Sequence, residues 1–379
     1  MGTPRIWLTA VVLVVGIVFP AGGAYAAEPA PLPATALTLS ISSARLTHGT
    51  NLTITGRLTS ADTGTPVPAA TVLVERRRVG TTTYGVLATL VSEADGVVRY
   101  VSQPRSNAEY RLRYQGSALL GGSATGPKRV DVAPRLTAKL SRTDARVGSK
   151  VTLTGTMTPA HPGAYVKVEH YSGGAWRRVA TPKMSATGAY SAVLTTPATA
   201  GWKRYRVVRP VDWDNLAAVT VLPLLDNFRL HTYIVRTKGT ITASVPTFAS
   251  SVAATYADKR GWARGHDRFK RVSTGGQFTV VLAQARYLPT YHSICSVQYS
   301  CRVGRNVIIN QDRWRFGSRY FPGPLAQYRQ MVVNHETGHW LGKRHAYCGG
   351  KGQLAPVMQQ QSKGMQGCKP NAWPLVREL

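Results

Sequence analysis

The sequence predicts a multidomain protein, with two all-β sandwiches followed by an α+β domain. Three observations indicate this architecture. The chain has 379 residues, which is too long for one ordinary domain. Short alternating strands occur in two similar segments, with a period of roughly 95 to 100 residues. Near Leu222 the pattern changes to a mixture of strand and helix periodicity.

The N-terminus has the composition of a secretory signal peptide covering residues 1–26. Arg5 gives a weakly positive start, residues 6–19 form an apolar run, and residues 24–26 (Ala-Tyr-Ala) offer a cleavage site. The alternative is an uncleaved membrane anchor, although the apolar run is shorter than the ~20 residues that a span needs. We therefore expect a secreted protein, extracellular or associated with the cell wall, with no transmembrane segment in the mature chain.

The chain is strongly basic, with a net charge of +30. The basic residues are spread over the whole sequence, and no nucleic-acid-binding signature occurs, so we expect no specific nucleic-acid partner. Outside a cell, anionic cell-wall polymers or membrane surfaces are the natural partners of such a charge. The alternative, a solvated surface that only keeps the protein soluble, stays open.

The two repeats are predicted at 36–133 and 134–221, after an Ala/Pro-rich linker at 27–35. The sequence LTITG at 52–56 matches VTLTG at 151–155, which places the two glycines 99 residues apart. Short strands rich in Val, Thr, Leu and Tyr, separated by turn residues, indicate antiparallel sandwiches of immunoglobulin-like form. Both units resemble the immunoglobulin-like modules of secreted bacterial proteins, and we expect a spacer or adhesive role rather than catalysis.

The third predicted domain covers 222–379 and mixes strands with helices. We expect strands at 232–236, 278–282 and 307–309, and helices at 246–259 and 324–341. This region also holds every cysteine of the chain, namely Cys295, Cys301, Cys348 and Cys368. An even number in an exported chain favours two disulfides. Three pairings are open, and proximity in sequence favours Cys295–Cys301 with Cys348–Cys368.

Residues 335–345 have the pattern H-E-x-x-H-x-x-G-x-x-H. On a helix, His335 and His339 lie one turn apart on the same face, so both imidazoles can bind one Zn²⁺. Gly342 can end the helix in a left-handed conformation, after which the chain turns back and His345 supplies a third ligand. Three protein ligands leave a position for water, which is typical of a catalytic zinc site. Glu336 lies beside the ligands, where a general base is needed.

This motif resembles the zinc signature of metzincin peptidases, whose other hallmark is a methionine turn beneath the metal. Met358, at the end of the segment Ala-Pro-Val-Met, fits that turn, and the alternative is an ordinary core residue. More closely, the region from Leu222 onwards resembles an uncharacterised actinobacterial family of secreted metzincin-like proteins. That resemblance rests on residues 333–336, 356–361 and 368–374. It implies an α+β metzincin-like zinc hydrolase domain and no known substrate.

Two positions depart from the metzincin pattern. Some metzincins carry a tyrosine two residues after the methionine, and here that position is Gln360. Tyr347 offers a phenol two residues after the third ligand, but a structural role is favoured for it. Ala346 stands where several metzincin subfamilies place an acidic residue. A transition-state role for a tyrosine therefore does not carry over from the resemblance.

Together these features predict a secreted zinc-dependent peptidase that acts on a protein or peptide substrate. Water activated by zinc attacks the peptide bond, with Glu336 as the general base. Resemblance to metzincins implies that the substrate lies extended along an edge strand, which we expect between residues 278 and 309. The alternative is a cell-surface or cell-wall binding protein with a catalytically silent metalloprotease fold. The carboxylate of Glu336 favours the enzyme, because a silent fold has no chemical need for it.

Overall fold

The computed structural model describes residues 30–379. The predicted signal peptide (1–26) and the first part of the predicted linker lie outside the described residues. Of the described residues, 40% are in strands and 14% in helices, so this part of the chain is predominantly β-sheet. None of the helices that these residues form has both the length and the apolar character needed to cross a membrane.

Two facing sheets make up the first repeat. Its strands are β1 (Thr35–Leu37), β2 (Ser40–Ile41), β3 (Arg45–Thr47), β4 (Leu52–Ser60), β5 (Thr71–Arg78), β6 (Gly85–Val91), β7 (Val97–Ser102), β8 (Ala108–Tyr114), β9 (Ser123–Ala124) and β10 (Lys128–Ala133). One sheet has the order β1-β4-β2 with β7 on β4, and the other has the order β3-β10-β8-β5-β6 with β9 on β8. Alternate side chains such as Leu52, Val72 and Leu112 are buried between the sheets.

The second repeat has the corresponding strands. They are β11 (Arg135–Leu140), β12 (Asp144–Arg146), β13 (Lys150–Thr158), β14 (Lys167–Ser172), β15 (Ala175–Ala180), β16 (Ala189–Thr195), β17 (Gly201–Lys203), β18 (Tyr205–Arg209) and β19 (Ala218–Val221). One sheet has the order β11-β13-β16 and another the order β15-β14-β18-β19. Leu153, Val168 and Tyr205 belong to the core between them.

The C-terminal region contains the helices that carry the site. Its elements are β20 (Leu225–Lys238), α1 (Val245–Ala257), β21 (Asp267–Arg271), β22 (Phe278–Ala283), β23 (Cys301–Val303), β24 (Asn306–Asn310), α2 (Gln311–Phe316) and α3 (Leu325–Trp340). Short 3-10 helices lie at Trp262–Gly265, Ala285–Thr290 and Val376–Glu378. Strands β20, β22 and β24 are parallel, and β23 pairs antiparallel with β24 at the sheet edge. Side chains of α1, α3 and these strands form one core.

Strand β20 connects this region to the second repeat. Its first residues pair with β12 and β17, and Leu225 is buried in the core of the second repeat. Its later residues pair in parallel with β21 and β22. Arg268, on β21, reinforces this junction by pairing with Asp144 at 2.7 Å and with Asp226. One seven-stranded sheet therefore extends from the second repeat to the sheet edge at β23.

The fold class expected from the sequence is wrong. We expected two immunoglobulin-like sandwiches followed by a separate α+β metzincin-like zinc hydrolase domain, whereas the described chain is predominantly β-sheet. The physical reason is the 14-residue strand β20, through which the C-terminal strands extend a sheet of the preceding repeat. Periodicity in sequence is local and does not specify which strands pair.

The individual elements expected after Leu222 are confirmed. The three expected strands lie within β20, β22 and β24, and the two expected helices agree with α1 and α3 to within two residues at each end. The domain bounds 36–133, 134–221 and 222–379 stay a prediction.

A comparison of two fragments tests the last of these bounds. We expect the β22 and β24 amides to exchange hydrogen faster in fragment 222–379 than in fragment 134–379. The shorter fragment lacks β12 and β17, so it exposes Leu225 and the unpaired backbone at the start of β20. Hydrogen exchange followed by mass spectrometry measures the difference. Equal exchange in both fragments would mean that the region from 222 folds independently of the second repeat.

Candidate metal centre

Helix α3 carries the histidine motif on a surface that faces the protein interior. Residues from Met331 to Gly338 are buried, including the polar His335 and Glu336. Gly342 follows the helix with φ +87°, and the Lys343 N–H donates to the Gly338 carbonyl oxygen at 2.9 Å. The helix thus ends with a left-handed glycine, as expected from the sequence, and the chain turns back towards the helix.

Three imidazoles converge after this turn. One ring nitrogen from each of His335, His339 and His345 lies within 4.8 Å of the other two. The Nε2 atoms of His339 and His345 are 3.1 Å apart. Two nitrogen ligands of a tetrahedral zinc ion, each at about 2.0–2.1 Å from the metal, lie roughly 3.3 Å from one another. The observed separation therefore fits two ligands of one ion.

Backbone carbonyl groups fix the tautomers of two of the imidazoles. His335 Nδ1 lies 2.8 Å from the Val357 carbonyl oxygen, and His339 Nδ1 lies 2.9 Å from the Lys343 carbonyl oxygen. Because a carbonyl oxygen only accepts hydrogen bonds, each Nδ1 carries the proton. The Nε2 lone pairs are then free, which is the arrangement that a metal requires.

Burial also keeps the imidazoles neutral. It lowers the pKa of His335 to about 3, and the neighbouring His339 acts in the same direction. Burial is likewise the main cause of the lowered pKa values of His339 and His345. A neutral imidazole is the form that binds a metal ion. The donor set, its tautomers and its protonation therefore all fit Zn²⁺.

The carboxyl group of Glu336 faces the same cleft. Glu336 and the three histidines line a cavity of about 360 Å³. Burial raises the pKa of Glu336 to about 8, while the charges of Arg302 and Lys363 act in the opposite direction. A carboxyl group with a raised pKa beside a cluster of metal-binding nitrogens is suited to accept and release a proton near neutral pH.

Met358 packs against the motif helix. It is 1% exposed and forms a small apolar cluster with Trp262 and Val357. A Cβ atom at Gly338 would lie 2.3 Å from the Met358 sulfur, so this close approach requires glycine. The Ala346 N–H donates to the Met358 carbonyl oxygen at 3.1 Å, which ties the residue after His345 to the same segment.

The penultimate residue, Glu378, holds this segment in place. Its buried carboxylate accepts hydrogen bonds from the backbone N–H groups of Val357 at 3.0 Å and Met358 at 2.8 Å. It also accepts from the Leu375 N–H at 2.7 Å. The Val357 carbonyl oxygen orients His335, and the N–H of the same peptide unit, that of Met358, donates to Glu378. Glu378 therefore supports the orientation of a candidate metal ligand.

Both disulfides have the pairing favoured by proximity in sequence, which confirms that prediction. Cys295 is bonded to Cys301 and Cys348 to Cys368. The second bond spans 20 residues and closes a loop that contains Met358. Its first cysteine follows His345 by three residues, so the bond restrains the chain that follows the candidate metal ligand outside the helix.

The structure brings together His335, Glu336, His339 and His345, as the motif predicts. Gln360 lines the cleft, whereas Tyr347 is 75% exposed and does not line it. The sequence did not indicate three residues near the site. They are two cations that line the cleft, at positions 302 and 363, and the carboxylate at position 378. Each lies 18 residues or more from the metal-binding motif in sequence, so only the folded chain shows its proximity.

Comparisons with known proteins leave the function open. Residues 213–374 match a family described as "Protein of unknown function (DUF3152)". No curated protein matches the chain. Among solved structures, the chain is similar to adhesin InvE of Yersinia pseudotuberculosis, with 15% identity, 51% of this chain and 58% of that chain covered, and a TM-score of 0.30.

Two further solved structures show similarity of the same order. One is a tetra-tandem repeat in the extending region of a large adhesion protein, with 16% identity, 51% of this chain and 50% of that chain covered, and a TM-score of 0.29. The other is the D0-D1 domain of intimin, with 14% identity, 50% of this chain and 97% of that chain covered, and a TM-score of 0.20. The chain thus spans 58% and 50% of the first two structures.

Replacing Glu378 should weaken metal retention. We expect Glu378→Ala to release zinc to a chelator roughly 10- to 100-fold faster than the parent, as is usual when a group that supports a metal ligand is lost. Asp312→Asn is the matched control, because it removes one carboxylate that forms no ion pair among residues 30–379. If the two variants release zinc at the same rate, the Val357 peptide is held in place without Glu378.

The two disulfides should differ in their effect on the metal. We expect Cys348→Ser/Cys368→Ser to lose zinc to a chelator faster than Cys295→Ser/Cys301→Ser, because only the first pair restrains the chain after His345. Closing a loop of 20 residues stabilises the folded chain by roughly 3 kcal/mol in the chain-entropy model. Identical release rates from the two double variants would show that His345 is positioned without the Cys348–Cys368 bond.

Proposed function

We propose that this protein is a secreted zinc-dependent peptidase. The observation that carries the proposal is the convergence of three neutral imidazoles, with their nitrogens within 4.8 Å of one another, beside the carboxyl group of Glu336. Three protein ligands leave a coordination position open, which distinguishes a catalytic zinc from a structural one. The motif at 335–345 and the packing of Met358 support a site of the metzincin type.

His335, His339 and His345 would hold a zinc ion, and its Lewis acidity would lower the pKa of water and polarise a carbonyl group. The chain itself supplies the proton transfers. A carboxylate oxygen of Glu336 takes the proton of the attacking water, and the resulting carboxylic acid then gives it to the leaving amine. The backbone carbonyl groups of Val357 and Lys343 hold two imidazoles in the required tautomer throughout.

A peptide is the substrate that fits the shape of the site. Strand β23 lies at the edge of the sheet, and its residues Cys301 and Arg302 line the cleft. An edge strand presents unpaired N–H and C=O groups to which an extended peptide can add as a further strand. We therefore propose that the substrate chain lies along β23, with its scissile carbonyl over the three histidines.

The proposed location outside the cytoplasm rests on two features. The signal-like composition of residues 1–26 supports export, and two disulfides are typical of an oxidising compartment. The repeats at 36–221 contain 24 basic and 10 acidic residues, which supports anionic cell-wall polymers as a partner of that region.

Replacing Glu336 with glutamine distinguishes an active peptidase from a binding protein that does not turn over a substrate. The parent and Glu336→Gln should each retain about one zinc per chain after dialysis, because the three imidazoles are unchanged. Hydrolysis of a peptide library by the variant should be slower by about 10²-fold or more, since the general base is lost. Elemental analysis and mass spectrometry of the cleaved peptides measure the two quantities.

Two results would count against the proposal. A folded parent without zinc would reject the metal centre, and equal cleavage by parent and variant would place the general base elsewhere. A parent that holds zinc and cleaves no peptide in the library supports the alternative, a cell-surface or cell-wall binding protein with a silent site.

A further inference from the structure

Two cations border the cleft, each on a different segment of the chain. One wall consists of strand β23 with the loop before it, and carries Arg302. The other wall is the segment at 360–363 that follows Met358, and carries Lys363. The histidines and Glu336 line the same cleft.

The pairing of β23 directs the side chain of Arg302 towards the site. Cys301 and Val303 pack against the apolar cluster on one face of the sheet. Arg302 lies opposite Val307, whose side chain belongs to the core that contains helix α3. Because successive side chains of a strand point to opposite faces, Arg302 points to the face of the sheet that carries α3. Its Nε atom is buried there without a hydrogen-bond partner.

Lys363 stands at the mouth of the cleft. Its side chain is exposed, and its Nζ atom lies 5.3 Å from the centre of the Tyr299 ring. Tyr299 belongs to the wall that carries Arg302, so this cation–π contact joins the two walls. Among residues 30–379, neither Lys363 nor Arg302 takes part in an ion pair, although other arginines of the C-terminal region do.

Carboxylates that could balance these charges are scarce. From residue 222 onwards the sequence contains six acidic residues: Asp226, Asp258, Asp267, Asp312, Glu336 and Glu378. The first three form ion pairs with arginines, the fourth lies in the first turn of α2, and the last binds backbone N–H groups. Only Glu336 lines the cleft. The cleft therefore has an excess of positive charge, which a bound zinc ion increases further.

We propose that the cleft selects peptides that present a carboxylate close to the scissile bond, bound by Arg302 and Lys363. This inference rests on the proposed peptidase function and names its substrate class. The planar guanidinium of Arg302 offers a pair of parallel donors to a carboxylate, and the Lys363 ammonium adds a charge from the other wall. The carboxylate belongs either to an acidic side chain or to a free peptide C-terminus, and both sources satisfy the same chemistry.

Binding measurements with matched probes separate these sources. The zinc-loaded Glu336→Gln protein prevents turnover, and calorimetry gives the affinity of two pairs of blocked pentapeptides. One pair differs by glutamate against glutamine at the central position, and the other by a free C-terminal carboxylate against an amide. We expect the charged member of at least one pair to bind about tenfold tighter or more, as is usual for hydrogen bonds between charged groups.

Further variants of the zinc-loaded Glu336→Gln protein test whether the two cations cause the preference for charged peptides. Arg302→Gln and Lys363→Gln should each reduce it, and the double variant should bind both members of a pair about equally. Arg302→Lys keeps the positive charge but lacks the planar guanidinium. Its preference for the charged peptide should therefore lie between the preferences of the parent and of Arg302→Gln. Lys369→Gln, which also removes one exposed positive charge, should leave the preference unchanged. Zinc content and circular dichroism confirm that each variant is loaded and folded.

The outcomes distinguish this inference from the peptidase proposal. Equal binding of charged and neutral probes by the Glu336→Gln protein, or a preference that persists in the double variant, would overturn the inference. Cleavage of charged and neutral peptides at equal rates by the parent would also count against it while supporting the peptidase. A preference for the carboxylate that depends on both cations supports it, even when the parent cleaves none of the peptides.

Discussion

The hydrogen bond from His335 Nδ1 to the Val357 carbonyl oxygen is the interaction on which the site depends. It joins the motif helix to a segment about 20 residues later, and it fixes the tautomer that leaves Nε2 free for a metal. The N–H group of the same peptide unit, that of Met358, donates to Glu378. The orientation of a candidate metal ligand therefore depends on Glu378, which is not a member of the histidine cluster.

The buried polar side chains of helix α3 need hydrogen-bond partners, because an unpaired polar group in the interior destabilises the fold. The Thr337 hydroxyl meets the Tyr256 hydroxyl at 2.7 Å, and the Asn334 amide donates to the Ala372 carbonyl oxygen at 2.8 Å. Glu336 differs, because it lines the cleft. The same helix thus provides hydrogen-bond donors that are paired in the interior and one carboxyl group that borders the cleft.

Local sequence predicted the parts of the site that are close together along the chain. The i, i+4 spacing of His335 and His339, the terminating glycine and the two disulfides needed no knowledge of the fold. The fold class could not be predicted in this way, because β20 pairs with strands that lie both before and after it in sequence. Arg302 and Glu378 were missed for the same reason, since an arginine on a short strand and a penultimate glutamate carry no local signal.

The two disulfides restrain both walls of the cleft. The Cys295–Cys301 bond closes the loop that contains Tyr299, immediately before Arg302 on β23. The Cys348–Cys368 bond closes the loop that contains the other wall. Closing a loop reduces the number of conformations open to the unfolded chain, which stabilises the folded position of each wall. The positions of Arg302 and Lys363 therefore depend on two disulfides, a type of bond that persists in oxidising surroundings.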